Sequence, residues 1–267
     1  MRKIELGQVA VFYAVALSLA IAVAWLGRDM GEAALALTMF TPAAAVLVIL
    51  ALFVPAGTRR ALVGSLGISR IGQRGYALAV GAPALIFGAS LLLLLALGAT
   101  ELRADASGSL PRIVVSSLVG LVISTLLALF EEIGWRGYLL PNLLPLGTLT
   151  AMLAVGFLHG VWHLPLILLT DLYHPNGNRL LVVPLFLATL TLAGVFYGYL
   201  RLTSASIWPV AIAHAAVNTF WTLAERLSEA TSPLVEEYVG GESGLVMIGG
   251  LLVLTVLLAA RLGGRTP

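Results

Sequence analysis

The sequence predicts an all-α fold, a polytopic transmembrane helical bundle of about eight spans, on three observations. Sixty per cent of the 267 residues are hydrophobic. Only 10% are charged, against roughly 25% in a soluble globular protein. The apolar residues gather into runs near the roughly 20 residues that a helix needs to cross about 30 Å of hydrocarbon. Helices are expected because an open sheet would leave backbone groups unpaired in lipid.

The same composition excludes other classes. A mean hydropathy of +1.01 disfavours a soluble enzyme or a disordered chain. The net charge of +2 is spread along the sequence, so no nucleic-acid partner is expected. Cysteine is absent, which removes disulfides, thiol nucleophiles and Cys-type zinc sites. Residues 1–267 read as a single integral membrane domain with the lipid bilayer as its surroundings.

In order, the spans run over Gly7–Leu26, Ala33–Val54, Tyr76–Ala99, Ser116–Leu140, Ala151–Thr170, Leu181–Leu200, Ser204–Leu223 and Gly244–Leu262. The first follows Arg2 and Lys3, and its run is long for a signal-peptide core, so it is expected to be a retained anchor. Eight spans put both termini on one side. Taking that side as cytoplasmic places Arg2, Lys3, Arg59, Arg60, Arg70, Arg74, Arg136, Arg201, Arg261 and Arg265 at or near it. Arg28, Arg103, Arg112, Arg179 and Arg226 then fall outside, the bias of the positive-inside rule. The acidic connection with Glu225, Glu229, Glu236, Glu237 and Glu242 is expected to face outward.

Ionisable groups within spans cost several kcal/mol unless paired or hydrated, so each is a functional candidate. The fourth span carries Glu131, Glu132 and Arg136; the fifth, His159, His163 and Pro165; the seventh, His214 and Asn218. Glu132 and Arg136 are four apart and can pair along one face, which turns Glu131 about 100° away. His159 and His163 share a face, as do His214 and Asn218. A fourth helix ending at Pro141 sets Glu131 roughly 15 Å deep, beside His163 at roughly 18 Å and His214 at roughly 15 Å. A helix ending at Phe130 would leave the glutamates at the rim. Pro165 cannot bond the carbonyl of Val161, and Gly156 and Gly160 are expected to give room there for water or a peptide.

A carboxylate, imidazoles and an amide at one depth fit water-activated hydrolysis. Glu131 is the candidate base. His163 and His214 could hold zinc, or His163 could orient the water while His214 and Asn218 stabilise the oxyanion. Ser124 is the one serine near enough for a Ser–His dyad. Gly160 replaces the glutamate of an H-E-x-x-H motif. Packing readings compete: membrane histidines bond across helices for about 1 kcal/mol, and packing is the favoured reading for His159.

The Glu131-Glu132-x-x-x-Arg136, Trp162-His163-Leu164-Pro165 and His214-x-x-x-Asn218 motifs together resemble the CPBP family of intramembrane proteases. That family takes in type II CAAX prenyl proteases and bacterial Abi or bacteriocin self-immunity proteins. The similar core runs over 116–221. The resemblance implies cleavage of a membrane protein or peptide substrate, in a bacterial-type membrane. It implies Glu131 as base, Glu132 and Arg136 as its supporting pair, and His163, His214 and Asn218 as catalytic, with His163 and His214 as metal ligands if zinc is the cofactor. It leaves zinc-dependent and metal-free chemistry both open. The family's second motif is F-x-x-x-H, and here His159 stands at the aromatic position. A proton- or ion-coupled transporter, or a non-catalytic scaffold, is the alternative. Nothing in the sequence specifies a prenylated substrate.

Overall fold

The computed structural model describes residues 5–104 and 106–263. Arg2, Lys3 and Arg265, which entered the charge count, lie outside the described residues. The helices are α1 (Leu6–Leu26), α2 (Glu32–Met39), α3 (Thr41–Leu52), α4 (Ala56–Ser65), α5 (Tyr76–Ala96), α6 (Ala106–Glu132), α7 (Leu140–Leu143), α8 (Thr148–Leu169), α9 (Arg179–Ser204), α10 (Trp208–Leu227) and α11 (Leu245–Gly263). β1 (Thr100–Leu102) and β2 (Ser228–Ala230) form an antiparallel ribbon with Glu101 opposite Glu229.

Seven helical stretches among the described residues are long and apolar enough to span a membrane. α10, expected as an eighth span, is not among them. It has the length, but His214 and Asn218 line its inner side and Glu225 and Arg226 close its last turn. Its polar residues lower the apolarity that spans are recognised by.

The bundle packs through small residues. Phe12, Ala16, Ala20 and Ala24 repeat every fourth position of α1 and are fully buried. On α6, Leu118, Val122 and Leu126 stay exposed, as suits a lipid-facing side. The tightest crossing joins α8 to α9. A Cβ at Gly156 would stand 2.4 Å from the Leu190 carbonyl oxygen, and one at Gly194 would stand 2.7 Å from the Gly156 Cα. Gly160 faces Leu187 and Leu190 in the same seam. The room expected at Gly156 and Gly160 is therefore filled by α9, and the glycines serve close backbone approach.

The fourth span also departs from expectation, because Pro141 does not end it. After Glu132 the chain makes a π-helical turn over Ile133–Leu139 and continues as α7, with Pro141 in its first turn. There the missing N–H costs little. A 3₁₀ turn at Leu144–Leu146 leads to Gly147, whose φ of 100° redirects the chain into α8. Pro165 sits inside α8, which runs on to Leu169.

The ends of α5, α8 and α10 and the start of α11 meet in one cluster of connections. Arg103 donates to the carbonyls of Glu225 and Ser228 and pairs with Glu229 at 3.3 Å. His174 Nδ1 lies 2.8 Å from Glu237 Oε2, and Glu237 Oε1 accepts from the Asn176 N–H at 3.0 Å. These contacts tie the 170–178 loop to the turn at Val235–Val239.

Candidate active site

The π-helical turn brings the site together. It follows directly on the Glu131-Glu132 pair and buries Trp135, Arg136 and Tyr138. Gly134 allows it to lie against α3, since a Cβ there would meet Pro42 at 2.5 Å. Wide turns of this kind are frequent at functional sites. Here the two glutamates diverge, Glu131 toward α8 and Glu132 toward α10.

Arg136 donates to Glu132 Oε1 at 3.0 Å and Oε2 at 3.2 Å, the pairing expected from the spacing. Both side chains are fully buried. The guanidinium also lies 4.7 Å from the centre of the Tyr197 ring, which offers the cation a π face in place of water. On its other side Glu132 Oε1 accepts from His214 Nδ1 at 2.9 Å. Tyr197 stacks on His214 with ring centres 5.6 Å apart.

His159 does more than pack. Its Nδ1 is 3.2 Å from Arg136 Nη1 and its Nε2 is 2.8 Å from Glu131 Oε2. A guanidinium has no lone pair to offer, so Nδ1 must accept. The ring proton then resides on Nε2 and is donated to Glu131. His159 is neutral, in one tautomer, and stacks against Trp135 at 5.1 Å. A continuous polar chain follows, from Glu131 through His159, Arg136 and Glu132 to His214. The sequence signal for His159 was its four-residue spacing from His163; its link to the carboxylates needed the helix crossing.

His163 Nδ1 lies 3.1 Å from the His159 carbonyl, which can only accept, so the N–H is at Nδ1 and Nε2 keeps its lone pair. Trp162, beside it, donates to Thr41 Oγ1 at 3.0 Å and anchors α8 to α3. Asn218 Nδ2 is 3.5 Å from Ser124 Oγ, so Ser124 faces the amide and bonds no histidine among the described residues.

Glu131, His163, His214 and Asn218 line one cavity of about 90 Å³, otherwise walled largely by apolar side chains such as Leu166, Phe186, Phe196 and Met247. Glu132 and Arg136 stand behind its wall. Tyr173 and Glu242 also reach it, although Tyr173 carried no signal in the sequence and Glu242 only that of the acidic connection. Glu225, Glu229 and Glu236 are exposed, Glu237 is buried against His174, and Glu242 is turned into the cavity.

For a metal, the compact donor group among the described residues is Glu131, His159 and His163, with donor atoms within 4.8 Å of one another. His214 is not part of it. His159 has its Nδ1 lone pair held by Arg136 and its Nε2 proton on Glu131, so it has no lone pair free for an ion. As arranged, His159 cannot serve as a zinc ligand.

Residues 113–220 match the family model Rce1-like, described as type II CAAX prenyl endopeptidase Rce1-like. No curated protein matches the chain. The matched stretch contains the π-helical turn, both histidines of α8, and His214 and Asn218 of α10. Across about two fifths of its length, then, this chain carries an Rce1-like segment, in agreement with the resemblance that its three motifs express.

Proposed function

We propose that the protein is a membrane-embedded endopeptidase that cleaves a membrane-associated protein or peptide with water activated by Glu131. The observation that carries this reading is a buried carboxylate held by the neutral His159 and lining a cavity with His163, His214 and Asn218. One Glu131 oxygen is oriented by the imidazole, and the carboxylate takes the proton of an attacking water as general base. The lone pair of His163 Nε2 orients that water.

Water oxygen bonds to the scissile carbonyl carbon, and the negative charge moves to the carbonyl oxygen. His214, whose Nδ1–H is held by Glu132 and whose ring in the protonated form offers a second N–H at Nε2, and the Asn218 amide meet this oxyanion. Glu131 then returns its proton to the departing nitrogen as the C–N bond breaks. The proton balance closes without another acid. The family description, the membrane helices and the buried acid–imidazole set all support the reading.

The test is cleavage of a membrane-anchored reporter by purified protein in lipid nanodiscs. Glu131→Gln keeps the shape and removes the base, and is expected to lower kcat by about 10²–10⁴-fold. Unchanged kcat in that variant would refute the assignment.

A further inference from the structure

Glu242 is a carboxylate of the cavity that the hydrolytic scheme does not use. It precedes α11 in the sequence Gly240-Gly241-Glu242-Ser243-Gly244. The glycines wrap the chain tightly there. A Cβ at Gly241 would stand 2.3 Å from the Glu236 carbonyl oxygen, one at Gly244 would stand 2.5 Å from that of Val239, and one at Gly240 would stand 2.5 Å from Leu94. The Gly244 N–H closes the turn onto the Gly241 carbonyl at 2.8 Å. Side chains are thus excluded at Gly240, Gly241 and Gly244, while Glu242 lines the cavity with Glu131, His163 and His214.

No arginine, lysine, hydroxyl or backbone N–H among the described residues bonds its carboxylate. The groups that act on it are His214 and Glu225 of α10, and the phenols of Tyr173 in the 170–178 loop and Tyr197 of α9. Burial pushes the Glu242 carboxyl up to about 7, against the opposing pull of His214, and Glu225 adds to the rise. Burial likewise raises Tyr173, which stays neutral. Glu242 is half-buried and lacks a bonded counter-charge, and a cation entering the cavity supplies one.

We propose that Glu242 is a specificity-determining residue that takes a cationic side chain of the substrate, lysine or arginine, close to the scissile bond. This rests on the endopeptidase reading. Acidic substrate positions are repelled by the same group, and neutral ones gain nothing from it. The preference needs the ionised form, so it is full above about pH 7 and fades as pH falls through that value.

The experiment compares reporter peptides carrying lysine or norleucine at each position flanking the cleaved bond. At pH 8 the wild-type protein is expected to favour lysine at one position by about 10–100-fold in kcat/KM, the value of one hydrogen bond to a charged group. Glu242→Gln brings that ratio to about one, and Glu242→Lys shifts the preference to glutamate at the same position. A wild-type ratio of one at every position, or a ratio that Glu242→Gln leaves unaltered, overturns the proposal.

Affinities of the same peptides for Glu131→Gln protein, measured without turnover, separate the two readings. Lysine-selective binding that Glu242→Gln abolishes upholds the recognition role even if no cleavage is found, and the missing cleavage then counts against the endopeptidase reading alone. Equal binding of both peptides overturns the role of Glu242 whatever the cleavage result.

Discussion

At the scale of residues, the arginine decides the most. Arg136 cannot accept a hydrogen bond, so it sets the His159 tautomer, and His159 in turn aims a proton at Glu131. At the aromatic position of the motif that the sequence resembles stands a histidine with both ring nitrogens bonded. His159→Phe preserves a ring against Trp135 but removes both polar contacts. We expect kcat to fall about 10–100-fold, the value of one hydrogen bond to a charged group, with KM little changed, since His159 is fully buried behind Glu131. A steady-state comparison of kcat and KM checks it, and equal loss in both would assign His159 to substrate binding. From the sequence, the Glu132–Arg136 pair was legible because it is local. The His159–Glu131 bond joins residues 28 positions apart and depends on how α6 and α8 cross.

Among the elements, α8 is held from both sides. Trp162 and Tyr13 tether it toward α3 and α1, the latter through a 2.9 Å bond to the Leu158 carbonyl. On the opposite side Gly156 and Gly194 bring its backbone against α9. The glycine seam sets where His159 and His163 stand, so a side chain at Gly156 displaces the site as well as the seam. Gly156→Leu is expected to cost about 1–3 kcal/mol or more, the range for overpacking a filled core. A lower midpoint of thermal unfolding in detergent, together with loss of cleavage, measures it. The sequence marked these glycines but pointed to the wrong use: small residues suit a cavity and a close crossing equally well, and only the position of α9 distinguishes them. The π-helical turn had no distinct signal either, because Ile133–Leu139 reads as ordinary apolar helix.

For the whole molecule, composition carried the architecture. Runs of about 20 apolar residues locate most of the helices to within a few positions, since the bilayer imposes one length on all of them. The exception, α10, is the helix whose polar residues serve the cavity. What composition could not convey is how the connections fold back, because the His174–Glu237 and Arg103–Glu229 pairs join loops far apart in the chain. Metal content is also a property of the intact protein. With His159 engaged on both ring nitrogens, purified active protein is expected to hold no stoichiometric zinc and to keep its rate after chelation. Elemental analysis beside activity checks this; one zinc per chain, lost together with activity on His163→Ala, would reverse the conclusion.

The cavity's enclosure has a consequence for whatever is cut. A transmembrane segment keeps its own carbonyls bonded along the axis, and a coiled rod about 10–12 Å across shields them from attack. On the proposed endopeptidase reading, Glu131 therefore acts only on a stretch that has come unwound. Readiness to unravel, through glycine or proline beside the target bond, becomes a sorting criterion in its own right, and it screens candidates before any side chain is read.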